Sequence, residues 1–297
     1  MHIASENNFP TAAGLASSAS GLSALIATLS TLYDLPTHGV STSDLSRIAR
    51  QGSGSACRSM FGGFVAWEMG SRADGLDSVA VQVQPREHWP RMQALILVVS
   101  DAKKGTPSTA GMQRTVATSA LLAHRIAHVV PARMDAMSAA ITARDFPAFA
   151  KETMADSNQF HAVALDTEPP IFYLNDVSRA IIALVTEINR AEGRLKAAYT
   201  FDAGPNAVIY ALDEDVKSVL EVVLRYFPQQ AAFPDPFALK PSAAAPLPAG
   251  FNEKVIPVMS ESSVSRIIHT EVGDGPRVLP SEQSLLGADG LPKSLKK

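Results

Sequence analysis

The amino-acid sequence predicts an α+β fold built in two layers, on three observations. Short apolar runs rich in branched residues, such as Ala94-Leu95-Ile96-Leu97-Val98-Val99-Ser100, have the length and composition of buried strands. Stretches with apolar residues three and four apart read as helices, and they are segregated from the strands along the chain. The 297 residues are 46% hydrophobic, which supplies core for two domains of ordinary size or one large one.

Taken in order, residues 1–5 read as a strand already under way, followed by a loop of small residues over 10–21. From Leu22 a helical stripe runs through Leu25, Ile26, Leu29, Leu32 and Tyr33. Thr42-Ser43-Asp44 opens a second helix with Leu45, Ile48 and Ala49 on one face, ending near Gln51-Gly52. Gly62-Gly63 leads into a strand over 64–69, and 79–83 is its candidate partner. After the strand at 94–100, helices are predicted over 109–122, 131–143 (set off by Val130-Pro131) and 146–154. A long helix over 176–191 buries Val177, Ala180, Ile181, Leu184, Val185 and Ile188. Strands at 197–201 and 207–212 flank Asp202-Ala203-Gly204-Pro205-Asn206, and a helix follows over 214–227. Residues 228–250 are rich in Pro and Ala without periodicity and read as a mobile surface insertion. A late strand is expected over 264–270, then a loosely held tail after Asp274.

Composition removes several function classes. The formal net charge of -3, with no basic stripe, gives no reason to expect nucleic acid or an acidic membrane surface as partner. The longest apolar runs are strand-sized, far below a membrane span. The single cysteine, Cys57, excludes an internal disulfide framework and a cysteine zinc cluster, and the seven histidines lack ligand spacing, so no metal ligand is assigned. With no leader and one cysteine, the default compartment is the cytosol. There is no Gly-x-x-x-x-Gly-Lys-Ser/Thr loop and no Gly-x-Ser-x-Gly elbow.

Three segments carry chemistry beyond core pattern. Pro10-Thr11-Ala12-Ala13-Gly14-Leu15-Ala16-Ser17-Ser18-Ala19-Ser20-Gly21 runs into a helix. Small residues let a backbone approach a ligand, and the first N–H groups of a helix, lacking internal acceptors, favour a phosphate. The same composition suits a tight loop that packs a helix against a sheet. In Ser53-Gly54-Ser55-Ala56-Cys57-Arg58, two hydroxyls, backbone amides freed by Gly54 and one guanidinium suit an oxyanion. The alternative there is a helix C-cap followed by an N-cap, with Arg58 in a surface salt bridge and Cys57 a small buried hydrophobe. Asp202 is the third candidate; taken alone it fits a turn aspartate. Lys103 and Lys104 suit either phosphate neutralisation or a solvated pair.

Together these segments resemble one family, the mevalonate diphosphate decarboxylases. Residues 7–18 resemble its phosphate loop, 53–58 its substrate loop, and Tyr199-Thr200-Phe201-Asp202-Ala203-Gly204-Pro205-Asn206-Ala207 its catalytic aspartate loop. Phe64-Val65-Ala66-Trp67-Glu68-Met69-Gly70 and Asp156-Ser157-Asn158-Gln159-Phe160-His161 also look like family sequence. The resemblance implies a GHMP kinase fold. Its truncated, ribosomal-protein-like N-terminal domain would span 1–92, and a C-terminal ferredoxin-like domain 93–297, with the insertion at 228–250. It implies ATP-dependent decarboxylation of mevalonate 5-diphosphate to isopentenyl diphosphate with ADP, phosphate and CO2, and a requirement for Mg2+. On this reading Asp202 is the catalytic carboxylate near the tertiary hydroxyl and Arg58 contacts the substrate carboxylate. Ser53, Gly54, Ser55, Ala56 and Cys57 line the substrate, and Thr109 stands at a substrate-binding threonine. Ala13, Gly14, Leu15, Ala16, Ser17 and Ser18 hold the phosphates of ATP. All three segments are expected to converge on one crevice, and the resemblance further implies a homodimer. The family's Lys-Tyr-Trp-Gly-Lys segment and a substrate arginine before the phosphate loop have no counterpart, which reads as a missing front. Two rival readings remain: a non-catalytic truncated homologue, and a small-molecule kinase of the same superfamily without decarboxylation.

Overall fold

A computed structural model describes residues 2–11, 14–99 and 106–293. They divide into two compact units: 2–11, 16–86 and 273–293 form the first, and 14–15, 87–99 and 106–272 the second. The compact units meet at 86/87, and the tail from Gly273 packs with the first of them.

The first unit contains α1 (Ser17–Leu32), α2 (Thr42–Gly52), a 3-10 turn (Gly54–Met60) and a hairpin of β1 (Phe64–Trp67) and β2 (Ala80–Gln84). Ser41 closes a capping box on α2: its Oγ accepts from the Asp44 N–H, and the Asp44 carboxylate accepts from the Ser41 N–H. The Ser41 hydroxyl, which donates to the Asp44 carboxylate, and then the Ser41 N–H hold that carboxyl down at about 2. The core of this unit is Ala19, Leu45, Ala49, Ala56 and Met60. On α1 the buried positions are Ala19, Ser23 and Ser30, whereas Leu32 and Tyr33 are exposed. Of the predicted apolar stripe, Leu22 and Ile26 pack half-buried against this core. Residues 2–5 are not a strand: among the described residues they have no ladder partner, and an unpaired extended segment gains no backbone hydrogen bonds. The tail is held where Gly62 meets Gly275, so closely that a Cβ on Gly62 would lie 2.8 Å from the Gly275 nitrogen. Beside it the Gly63 N–H donates to the Gly273 carbonyl at 2.9 Å.

The second unit is built on an antiparallel sheet in the order β4-β5-β3-β6, from β3 (Met92–Val98), β4 (Ala198–Phe201), β5 (Ala207–Leu212) and β6 (Arg266–Glu271). Alternation places Leu95, Leu97, Tyr199, Phe201, Ile209 and Ile267 in one core with α7 (Asp176–Glu192) and α8 (Asp213–Tyr226). α6 (Phe146–Leu165) sets Phe149 edge-on against Tyr210, at 5.3 Å between ring centroids. It runs well past the predicted end at Met154, because the polar run after Asp156 is spent on β4. Ser157 Oγ accepts from the Phe201 N–H at 3.1 Å, and Asn158 Oδ1 accepts from the Tyr199 hydroxyl at 3.1 Å. β4 is an edge strand, and Ser157 satisfies one of its outward amides. α3 (Ser108–Thr118), α4 (Ala120–His124) and α5 (Val130–Ala143) complete the unit. Pro131 does not break the chain there: a π-helical turn over Arg125–Val129 joins α4 to α5 and brings the proline into the first turn of α5.

Residues 228–250 form neither helix nor strand, in line with their lack of periodicity, yet they are not loose. Phe233, Leu239 and Leu247 pack on the core, and the Phe237 ring lies 4.3 Å from that of His269. At the far end Arg190 donates to the Gly250 carbonyl at 2.6 Å, and Glu187 accepts from the Asn252 N–H at 2.5 Å. Hydrogen bonds from Arg190 hold the Glu187 carboxyl down at about 2. Irregularly spaced apolar residues anchor this segment, so a periodicity search could not see its docking.

The approach to β4 is fixed by Asn189, whose Oδ1 accepts from the Lys196 and Ala197 N–H groups at 2.8 and 3.0 Å while Nδ2 donates to the Ala197 carbonyl at 2.9 Å. Asn189→Ala strands these buried groups, and urea unfolding is expected to show a loss of about 2–3 kcal/mol. A loss below about 0.5 kcal/mol would mean that water replaces the amide without penalty.

Candidate functional site

In the first unit, α1 begins at Ser17 behind Ala16, which adopts a left-handed conformation (φ 54°) costing about 1–2 kcal/mol for a residue with a Cβ. Its N-cap residue, Ala16, makes no side-chain cap bond, and its first turn holds no acidic residue. α2, α6 and α7 are each capped by their own Ser41, Asp145 or Asn175. The Ser18 hydroxyl lies 3.1 Å from that of Ser53, which joins the first two predicted segments.

Ser53 ends α2 and starts the 3-10 turn, so the capping alternative describes its backbone correctly. It does not describe Arg58. Among the described residues the guanidinium has no ion-pair partner, and it stands 5.9 Å from the centroid of the Trp67 ring. Ser53 and Ser55 are half-buried. Ala56 and Cys57 are buried, leaving only their backbone for a ligand, and burial pushes the Cys57 thiol up against the pull of Arg58.

In the second unit, Gly14 lies against the Asp202 turn. Its φ is +76°, and a Cβ there would lie 2.9 Å from Gly204 Cα and N. The turn is closed by the Gly204 N–H donating to the Asp202 carbonyl at 2.7 Å. Buried Phe201 and Ala203 flank it, and buried Asn206 accepts from the Val99 N–H at 2.7 Å. Asp202 itself is exposed, and among the described residues its carboxylate accepts no hydrogen bond and makes no ion pair. A turn aspartate would spend its carboxylate on neighbouring amides; this one does not.

His161, on α6, packs edge-on against Phe201 at 6.2 Å and Tyr173 at 6.3 Å. It is 7% exposed, and among the described residues its Nε2 has no hydrogen-bond partner. Burial lowers the imidazole pKa, opposed by the Phe201 backbone and the Asp202 charge. Burial also raises the Tyr173 pKa, reinforced by the Asp202 charge and opposed by Arg114. The carboxylate is thus flanked by two polar groups biased towards neutrality. Thr109 is exposed in the first turn of α3. Two residues on, a Cβ at Gly111 would fall 2.5 Å from the Tyr173 hydroxyl.

The structure therefore brings Ser18 to Ser53, and Gly14 to the Asp202 turn; Arg58 belongs to the first unit and Asp202 to the second. Ala13, Lys103 and Lys104 lie outside the described residues. Among the described residues no group of three His, Cys, Asp or Glu could hold a metal, and no helix is long and apolar enough to cross a membrane. Trp67, His161 and Tyr173 were not singled out as site residues. The signal for His161 was present: Ser157 and His161, four apart, put two polar groups on one buried face of α6.

Residues 94–279 match a family model described as the mevalonate 5-diphosphate decarboxylase C-terminal domain, and residues 1–80 one described as the diphosphomevalonate decarboxylase-like N-terminal domain. The chain is 66% identical to the diphosphomevalonate decarboxylase of Ganoderma lucidum, over 99% of this chain and 74% of that one. The solved mevalonate diphosphate decarboxylase of Trypanosoma brucei is 40% identical with a TM-score of 0.84, over 95% of this chain and 74% of that one. A structure described as MDDEF in complex with MVAPP, AMPPCP and magnesium is 35% identical with a TM-score of 0.66, over 74% of this chain and 65% of that one.

Gly14→Ala meets both a left-handed backbone and the Gly204 main chain, so it is expected to cost at least about 2 kcal/mol and to depress turnover. Gly21, inside α1 with nothing within 4 Å of a built Cβ, is the contrast: Gly21→Ala is expected to stabilise by up to about 1 kcal/mol. Thermal unfolding of both variants checks the pair, and equal effects would contradict it.

Proposed function

The chain belongs to the mevalonate 5-diphosphate decarboxylase family, and we propose that its Asp202 and Arg58 divide that family's reaction between them. Asp202 serves the tertiary hydroxyl that ATP phosphorylates, and Arg58 serves the carboxylate that leaves as CO2. The observation that carries this reading is that both charges are unspent: among the described residues neither the Asp202 carboxylate nor the Arg58 guanidinium has an ion-pair partner.

A tertiary alcohol is a poor nucleophile and a worse leaving group. A carboxylate within hydrogen-bond reach orients it and accepts its proton, while phosphoryl transfer depends mostly on positioning and charge neutralisation. Departure of the new phosphate leaves positive character at the tertiary carbon, which the Asp202 charge favours. Loss of CO2 then quenches it and forms the double bond of isopentenyl diphosphate. The fork of Arg58 holds the carboxylate so that its bond to carbon lines up with the departing phosphate.

ATP fits the start of α1, where the N-cap residue Ala16 carries no capping side chain and the first turn holds no acidic residue to oppose its phosphates. Gly14, Leu15, Ala16, Ser17 and Ser18 are its proposed contacts, with Ala13 beside them. Ser53, Gly54, Ser55 and Thr109, with the backbone of Ala56 and Cys57, are proposed to line mevalonate 5-diphosphate. Magnesium, which takes oxygen ligands and rides on nucleotide phosphates, would neutralise their charge, with the Ser17 and Ser18 hydroxyls as the donors at hand. The family also supports a cytosolic homodimer, for which light scattering is expected to give twice the mass of one chain.

Asp202→Asn is expected to lower kcat at least about a thousandfold while leaving ATP affinity within about twofold; near-normal turnover would remove Asp202 from the chemistry. Arg58→Ala is expected to raise KM for mevalonate 5-diphosphate by about 10- to 100-fold, the worth of a charge-assisted paired bond. Unchanged constants would take the carboxylate away from Arg58.

A further inference from the structure

Arg58 poses a physical question that its proposed role leaves open. A half-exposed guanidinium on a flexible stem ordinarily finds a carboxylate or a carbonyl. Among the described residues this one has neither, yet it must be held in place if it is to receive an anion. An ion pair would hold it but would also cancel its charge. The face of an aromatic ring holds a cation without neutralising it.

Trp67 offers that face. It ends β1, opposite Ala80 of β2. The indole N–H donates to Ser78 Oγ at 3.0 Å, and that hydroxyl donates to the Glu68 carbonyl at 3.2 Å, so the ring is pinned along its polar edge. Its opposite edge is pressed on Gly54: a Cβ there would lie 2.7 Å from Cη2 and 3.1 Å from Cζ3. Arg58, four residues on in the same 3-10 turn, stands with its guanidinium carbon 5.9 Å from the ring centroid. The glycine of the substrate loop is thus needed to admit the indole. We propose that Trp67 is a positioning residue for Arg58, a fixed aromatic shelf that holds the guanidinium in place and leaves its charge free for an anionic group of the substrate. This rests on the reading of Arg58 as the residue that grips the substrate carboxylate.

Trp67→Leu is expected to raise KM for mevalonate 5-diphosphate about five- to tenfold, with KM for ATP within twofold, and Trp67→Phe, which keeps a π face, to recover most of the loss. Indole fluorescence supplies a readout that packing alone would not move. The Trp67 contribution is the wild-type emission minus that of Trp67→Phe, which retains Trp89. It is expected to change on addition of mevalonate 5-diphosphate without ATP, and not to change in Arg58→Ala. An unchanged KM in Trp67→Leu, a Phe variant no better than the Leu variant, or a fluorescence response that survives Arg58→Ala would each overturn the proposal. If Trp67→Leu fails to fold, the Phe variant and the fluorescence titration decide. An Arg58→Ala variant with normal KM would instead sink the reading of Arg58. A raised KM in Arg58→Ala beside a normal one in Trp67→Leu would sink only the role of Trp67.

Discussion

Gly14 and Gly204 meet backbone to backbone, with no room for a side chain on Gly14, and the placement of Gly14 against the Asp202 turn follows from that approach. The loop needs glycine because its conformation is left-handed and because the opposite chain is already there. The turn it touches is closed by a main-chain bond and locked by Asn206, so the Asp202 carboxylate has no structural duty. The next residues of the loop complete the pattern: Ala16 bears a strained backbone and, as the N-cap of α1, has no side chain with which to cap it. Local cost of this kind gathers where a ligand is to be met.

The same economy governs the charged groups. Most arginines near carboxylates are used: Arg194 is bonded to buried Asp215, Arg190 to Glu187, and Arg125 to Asp156. Arg58 is instead stood beside an indole, and Asp202 is left without a donor. Among the described residues neither group is spent on an ion pair within the folded chain. Each fits a group kept available for a partner of opposite character, an anion in one case and a hydroxyl proton in the other.

How much of this was legible in the sequence depends on whether the signal was local. α2, α7 and the strands around Asp202 carry their own caps and alternation, and they form where the pattern put them. The segments 10–18 and 53–58 stood out as candidates because small residues, hydroxyls and a charge fall together there against the logic of a core, while Asp202 stood out only through the family resemblance of 199–207. What escaped depends on contacts between distant residues. The C-terminal half of α6 was hidden because Ser157, Asn158 and His161 interrupt its apolar period in order to serve β4. The docking of 228–250 depends on irregularly spaced single apolar residues, Phe233, Leu239 and Leu247 among them, and the α1 stripe reaches the core only through Leu22 and Ile26 while Leu32 and Tyr33 stay exposed. Trp67 gave no local sign of its task, since a tryptophan in a strand is ordinary until Gly54 and Arg58 are seen beside it.

The most direct measurement counts products. Incubated with ATP and mevalonate 5-diphosphate, the chain should release ADP and CO2 in equal amounts, because phosphorylation of the hydroxyl and loss of the carboxylate are held to be one coupled event. ADP formed without CO2 would make it a kinase alone, and the absence of both would leave a fold without the chemistry assigned to Asp202 and Arg58.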